Sequence, residues 1–232
     1  QCKNRGRVFD ESGLPTELSG NCAFPFAMRT GKGYRLYFSG AAKGRQYSGL
    51  YASDSRSGRG WSRPQKIMDG MLLDPMVWKD GNGGFHLFYV TVQESGTSLM
   101  SAVSGNGLAF DKPRILMQKP FMYTVSIMRS SGAEAVLFVE LLANSGAICR
   151  YDAATRSILP PELPTGEIES RPELRDYGWF FIEHGGSTIC FFNRIAFSSE
   201  NFGSIFSCET DFGSLRRSFD GYSVLLDRQR RL

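Results

Sequence analysis

The sequence predicts an all-β fold of the β-propeller type, and three observations predict it. The stretch Leu73 to Leu116 breaks into short β-rich runs, Met76-Val77-Trp78, Phe85 to Val92 and Ser98 to Val103, punctuated by Asp80-Gly81-Asn82-Gly83-Gly84, Glu94-Ser95-Gly96 and Gly105-Asn106-Gly107. The same text recurs upstream, with Ala23-Phe24-Pro25 for Leu73-Asp74-Pro75 and Tyr34 to Phe38 for Phe85 to Tyr89, so that Pro25 and Pro75 stand 50 residues apart. A period near 50 built from four short strands is the sign of a propeller blade. Finally, no 3.6-residue period runs for a helical length, so helix is expected to be scarce.

Residues 1–21 are polar and turn-rich, with at most one strand expected near Gly6 to Phe9. The first unit covers about 22–69 and the second about 70–118. Each carries a similar turn, Ser55 to Trp61 in one and Ser104 to Phe110 in the other, at an offset of 49. The third unit, about 119–165, opens on Tyr123 to Met128, continues through the apolar run Ala135 to Leu142, and closes on a proline-rich linker, Leu159 to Pro164. The fourth, about 166–203, opens on Glu169-Ser170-Arg171-Pro172, with Trp179 to Glu183 and Thr188 to Phe197 as its following strands. Residues 204–232 together with 1–21 are expected to add a fifth, closing a single 232-residue domain with strands from both ends.

The composition is that of a globular chain, 41% hydrophobic and 22% charged, and no apolar run is long enough for a transmembrane helix. The chain opens on Gln1 without a charged-then-apolar leader, which leaves its compartment, secreted or cytoplasmic, open. The net charge of +4 is concentrated in Arg228, Arg230 and Arg231, a block too short for a nucleic-acid arm. Five scattered cysteines with no C-x-x-C spacing argue against a disulfide scaffold or a zinc site, and Cys149 and Cys190 fall in apolar strand text. Oligomeric state is not legible.

In a propeller the first strand of each blade lines the central channel, so equivalent residues at the starts of those strands converge on one mouth. The place before the repeated proline is occupied by Phe24, Asp74, Thr124 and Arg171, at steps of 50, 50 and 47, with Tyr123 and Glu169 close by. An acid, an arginine and aromatics around one opening suit a polyhydroxylated ligand, which takes directed polar partners and flat apolar faces. Trp78, Trp179 and Tyr89 fit blade packing better than they fit sugar platforms, and His86 and His184, both in second-strand text, fit satisfied, part-buried imidazoles better than metal ligands.

The segment Leu73-Asp74-Pro75-Met76-Val77-Trp78, followed by Gly84 to Tyr89, resembles the Asp-Pro strand and next strand of the five-bladed propeller glycosidases, families 43, 32 and 68 of the glycoside hydrolases. The turns at Ser55 and Ser104 are similar to the S-x-D-G-x-x-W/F element of such enzymes, with Ser57 and Asn106 replacing the acid. The resemblance implies a base or nucleophile aspartate opening the first blade, a second aspartate opening the next, and a later glutamate acting as acid. Asp74 matches the second aspartate, and Glu169 matches the acid motif with one residue inserted before Pro172. Phe24 stands where the first aspartate would be.

The expectation is therefore a glycoside hydrolase-like propeller acting on glycosides or oligosaccharides, with Asp74 and Glu169 catalytic and Phe24, Tyr123, Thr124, Arg171 and Trp78 contacting substrate. Asp10, Glu11 and Glu17 are further carboxylates able to reach the mouth from the amino-terminal segment. No organic cofactor is expected, and the sequence leaves open whether calcium fills the channel. Two rivals stand beside this: a glycan-binding propeller without catalysis, marked by the missing first aspartate, and a protein-interaction propeller that needs no central carboxylates.

Overall fold

The computed structural model describes residues 9, 14–18, 21–42, 44, 46–141, 146–159, 174–184, 187–196 and 204–210. Among them the only helical element is a 3-10 turn at Thr16–Leu18, and all other regular structure is antiparallel sheet. The first sheet holds β1 (Asn21–Thr30), β2 (Gly33–Ala41), β3 (Gly49–Ser55) and β4 (Gln65–Asp69). The second holds β5 (Leu73–Lys79), β6 (Phe85–Gln93), β7 (Gly96–Ser104) and β8 (Arg114–Lys119). The third holds β9 (Met122–Ser131), β10 (Glu134–Leu141), β11 (Gly146–Asp152) and β12 (Ser157–Ile158). In the fourth, β13 (Leu174–His184), β14 (Ser187–Ala196) and β15 (Ser204–Thr210) are paired.

Each sheet is a meander in sequence order, and the first strands adjoin one another, β1 beside β5, β5 beside β9 and β9 beside β13. Strand alternation sends neighbouring residues to opposite faces, and each face finds a core. Tyr37, Leu50, Val77, Leu87 and Tyr89 fill the space between the first two sheets. Trp78, Phe88, Leu99, Val125, Leu137 and Tyr151 fill the space between the second and third. Phe138 meets Phe181 of the fourth sheet with ring centroids 5.7 Å apart. The free face of the first sheet is covered by Leu18, which packs on Leu36, Phe38 and Tyr51.

Polar ties fix the junctions. Between the first and second sheets the Tyr37 hydroxyl donates to the Gly107 carbonyl at 2.9 Å. Between the second and third, Arg156 forms a bidentate pair with Asp111 at 2.7 and 3.0 Å. The serine turns behave as their sequence implies: Ser55 Oγ accepts from Gly58 N at 2.9 Å, while Ser104 Oγ accepts from Gly107 N at 2.9 Å and Asn106 Oδ1 accepts from Leu108 N and Ala109 N. Their aromatics, Trp61 and Phe110, pack into the adjacent clusters.

The fourth sheet departs from the expectation. Trp179 to Glu183 and His184 belong to β13, the first strand, and not to a following strand. β15 pairs with β14 through Cys190↔Cys208, so the boundary expected at residue 203 falls inside this sheet.

Candidate functional site at the mouth of the inner strands

The inner strands share a defect in pairing. In β1 the register shifts between Ala23 and Phe26, so that Phe24 and Pro25 together oppose Phe38. In β5 it shifts between Leu73 and Met76, so that Asp74 and Pro75 oppose Tyr89. Proline lacks the N–H the ladder needs, and one surplus residue relieves the conflict as a β-bulge. Phe24 (φ 54) and Asp74 (φ 49) pass through the left-handed region, uncommon for residues with a Cβ. Two side chains 50 residues apart are thus presented by one backbone geometry on adjacent strands.

The third sheet keeps the step of 50 but moves the surplus residue. Thr124 pairs regularly with Glu140 and Val125 with Val139, and Tyr123 is the bulged residue before Met122↔Leu141. Thr124 is buried and its hydroxyl turns onto the Val125 carbonyl, while the bulged Tyr123 is 38% exposed. In the fourth sheet the shift falls between Tyr177 and Phe180, so that Gly178 and Trp179 oppose Phe192. Gly178 therefore stands, in this sheet, at the place that Asp74 has in the second. Phe26, Met76 and Phe180, each two residues beyond this place, line one central cavity of about 360 Å³. The strands consequently run in the same sense, and their bulges meet at one end.

Asp74 is the carboxyl group of that end. Burial pushes its pKa up to about 7, and no described residue donates a hydrogen bond to it. Such a group is shared between acid and carboxylate at neutral pH, and transfers a proton in either direction. Beside it on β1, the Phe24 ring meets Tyr47 edge-on with centroids 5.3 Å apart. Opposite the Asp74 bulge, Tyr89 is buried and its phenol is pushed up to about 12 by that burial.

The remaining candidates divide. Trp78 is buried between sheets, tilted over His86 at 5.0 Å and edge-on to Tyr151 at 6.4 Å, with one side on the central cavity. His86 is satisfied, its Nε2 bonded to Asp80 Oδ2 at 3.0 Å and its Nδ1 to the Tyr151 hydroxyl at 3.1 Å. Glu17 is exposed in the 3-10 turn. Glu169, Arg171, Asp10 and Glu11 lie outside the described residues. No group of three or more His, Cys, Asp or Glu side chains suited to a metal ion occurs among the described residues, and no helix there is long and apolar enough to cross a membrane.

One acid escaped the sequence reading. Glu140 is 2% exposed and pairs directly with Thr124, so it sits at the level of the bulges on the side facing the fourth sheet. The signal was a single charge inside the apolar run Ala135 to Leu142, where an ionisable group must have a partner.

Solved structures with the same chain path settle the fold. A thermostable family-43 glycoside hydrolase superposes with a TM-score of 0.64 at 10% identity, covering 87% of this chain and 78% of that one. The fold is that of the family-43 propellers. An endo-1,4-β-xylanase from Bacteroides thetaiotaomicron matches with a TM-score of 0.64 at 12% identity over 88% of this chain and 76% of its own. A family-43 β-xylosidase/α-arabinofuranosidase from a compost microbial metagenome, solved with xylotriose, matches with a TM-score of 0.59 at 13% identity, over 87% and 73%. No family model and no curated protein matches the sequence.

Proposed function

We propose that this chain is a carbohydrate-active, glycoside hydrolase-like propeller of five blades whose ligand, an oligosaccharide, enters at the end of the inner strands where Phe24, Asp74 and Tyr123 converge. The observation that carries the reading is Asp74, a part-buried carboxyl held by a strained bulge at the mouth, with its pKa up at about 7. Such a site stores backbone strain to fix one side chain, which is the economy of a functional residue. The propeller neighbours named above supply the ligand class, since one of them was solved with xylotriose.

Ordinary glycoside hydrolysis takes two carboxyl groups, about 5–5.5 Å apart for retention and about 6.5–9.5 Å for inversion. In this reading Asp74, in its ionised form, orients the sugar or activates water, and Glu169 protonates the leaving oxygen. Glu140 is an alternative second acid. Arg171 and Tyr123 hold hydroxyl groups, Phe24 and Trp78 offer apolar faces, and no organic cofactor enters. The test is turnover of aryl β-xyloside and α-arabinofuranoside substrates by the parent chain and by Asp74→Asn, with oligosaccharide binding measured in parallel. Turnover lost in the variant with binding kept supports catalysis at Asp74. Equal turnover in both sinks it.

A second reading, glycan binding without hydrolysis, draws on Phe24. A phenyl ring at the place equivalent to Asp74, with the same backbone and packed on Tyr47, neither accepts a proton nor attacks carbon. Oligosaccharide binding by a parent chain that turns over nothing in the panel selects this reading.

A further inference from the structure

We infer that the cleft between the first and second sheets, at the opposite end of the inner strands from Asp74, is a second binding site that takes a carboxylate-bearing sugar ring of the uronic-acid class. The cleft has a volume of about 560 Å³ and is lined by Lys32 of the β1–β2 turn, Tyr34 and Arg35 of β2, Asp54 and Arg56 at the end of β3, and Asn106 of the second sheet. Thr30, on its wall, lies six residues beyond Phe24 along β1, roughly 20 Å at the rise of a strand. A volume of this order admits one or two sugar rings.

Two walls of the cleft are preset. The Arg35 guanidinium, only 11% exposed, bonds Asp54 through Nε at 2.7 Å and Nη2 at 3.0 Å, and its Nη1 donates across the junction to the Asn106 carbonyl at 2.7 Å. The segment carrying Arg56 is pinned by Ser55, whose Oγ accepts from Gly58 N at 2.9 Å. At the next junction the same region is closed, for the β5–β6 loop bonds the β9–β10 turn from Gly81 N to Gly132 O at 2.8 Å. Between the first two sheets the shorter Gly31-Lys32 turn makes no such backbone bond to the β5–β6 loop among the described residues, and the space stays open.

Its chemistry is what singles out the ligand. Three cations, Lys32, Arg35 and Arg56, face one carboxylate, Asp54, leaving two positive charges in excess. No described residue pairs with Lys32 Nζ, with the Arg56 guanidinium or with the Tyr34 hydroxyl. Those two cations are placed for a carboxylate, the exposed Tyr34 ring for the C–H face of a pyranose, and the half-exposed Asp54 oxygens for hydroxyl groups. A neutral sugar leaves the excess charge unanswered, and a bare anion leaves the ring unused. The site does not rest on catalysis at Asp74.

Calorimetric titration of the parent chain with trigalacturonate, xylotriose and inorganic phosphate tests this. The acidic trisaccharide is expected to bind at least roughly tenfold more tightly than either other ligand, with affinity falling as salt is raised. Arg56→Glu and Tyr34→Ala, each checked for an unchanged melting temperature, are expected to weaken it roughly tenfold, and Asp74→Asn to leave it unchanged. Equal binding of xylotriose, phosphate binding as tight as the trisaccharide, no binding at all, or indifference to Arg56→Glu and Tyr34→Ala overturns the inference. Sensitivity to Asp74→Asn relocates the ligand to the mouth and overturns it too.

Discussion

Phe24 and Asp74 occupy one place in two adjacent inner strands, each bulged before a proline and each left-handed, with φ 54 and 49. The backbone that presents a carboxyl in the second sheet is thus intact in the first, where only the side chain differs. Phe24→Asp is therefore expected to place a second carboxyl at the mouth without rebuilding the strand. If Phe24 is what withholds hydrolysis, the variant gains at least roughly tenfold in turnover of aryl pentosides over the parent, a barrier change of about 1.4 kcal/mol. The Phe24–Tyr47 ring contact is lost in the exchange, at a cost of about 1 kcal/mol in stability. A variant that folds and shows no gain removes Phe24 as the explanation.

Asp74 has a consequence for stability with a definite sign. Its native pKa is raised to about 7 from an ordinary value near 3.8, so between those values the folded chain holds a proton that the unfolded chain has released. Stability therefore falls as pH rises through that window, and the full burden of the part-buried carboxylate is felt above about pH 7. Asp74→Asn carries no such dependence. Its melting temperature relative to the parent is expected to rise between about pH 4 and about pH 8, by the equivalent of a few kcal/mol, order of magnitude. A difference that is flat with pH would show that the carboxyl is ionised throughout.

Gly107 is required twice over. Its φ of 72 disfavours a Cβ, and a Cβ built there would stand 2.7 Å from the Tyr37 hydroxyl and 2.9 Å from Arg35 Nη1. Both groups tie the first sheet to the turn of the second, so neither yields without breaking the junction. Gly107→Ala is expected to destabilise by about 2–3 kcal/mol, against about 1 kcal/mol for Tyr37→Phe, which removes one hydrogen bond. Denaturant unfolding of the two variants gives the comparison, and equal losses would mean that the turn relaxes freely.

The difference between what was legible and what was not follows from where side chains leave a mark. The step of 50 is legible from Phe24 to Asp74 because the proline that follows each of them at the bulge is chemically distinctive. The fourth sheet hid its bulge in Gly178-Trp179, which carries no such mark. The third sheet moved its surplus residue to Tyr123, a choice of pairing that composition does not encode. Glu140 was concealed by its apolar neighbours, and the charged cleft beside Tyr34 by the fact that its lining comes from turns and strand ends far apart in sequence.

The Asp80–His86–Tyr151 chain supplies the last prediction. Burial pushes the Asp80 carboxyl up, yet the hydrogen bond and charge of His86 and the N–H groups of Gly84 and Asn82 outweigh it and hold the pKa below its ordinary value. A lowered native pKa means that this stabilisation is present above the unfolded carboxylate value and is lost as pH falls through the folded one. Asp80→Ala leaves His86 buried with its Nε2 unpaired and frees the loop that reaches Gly132. It is expected to cost about 2–3 kcal/mol at neutral pH, with the loss shrinking as pH falls below the ordinary carboxylate range and the parent carboxyl is itself protonated. Acid unfolding followed by the fluorescence of Trp78, whose ring lies 5.0 Å from that of His86, reads the junction directly. An acid midpoint that is the same in parent and variant would show that the Asp80 carboxylate does not hold the second and third sheets together.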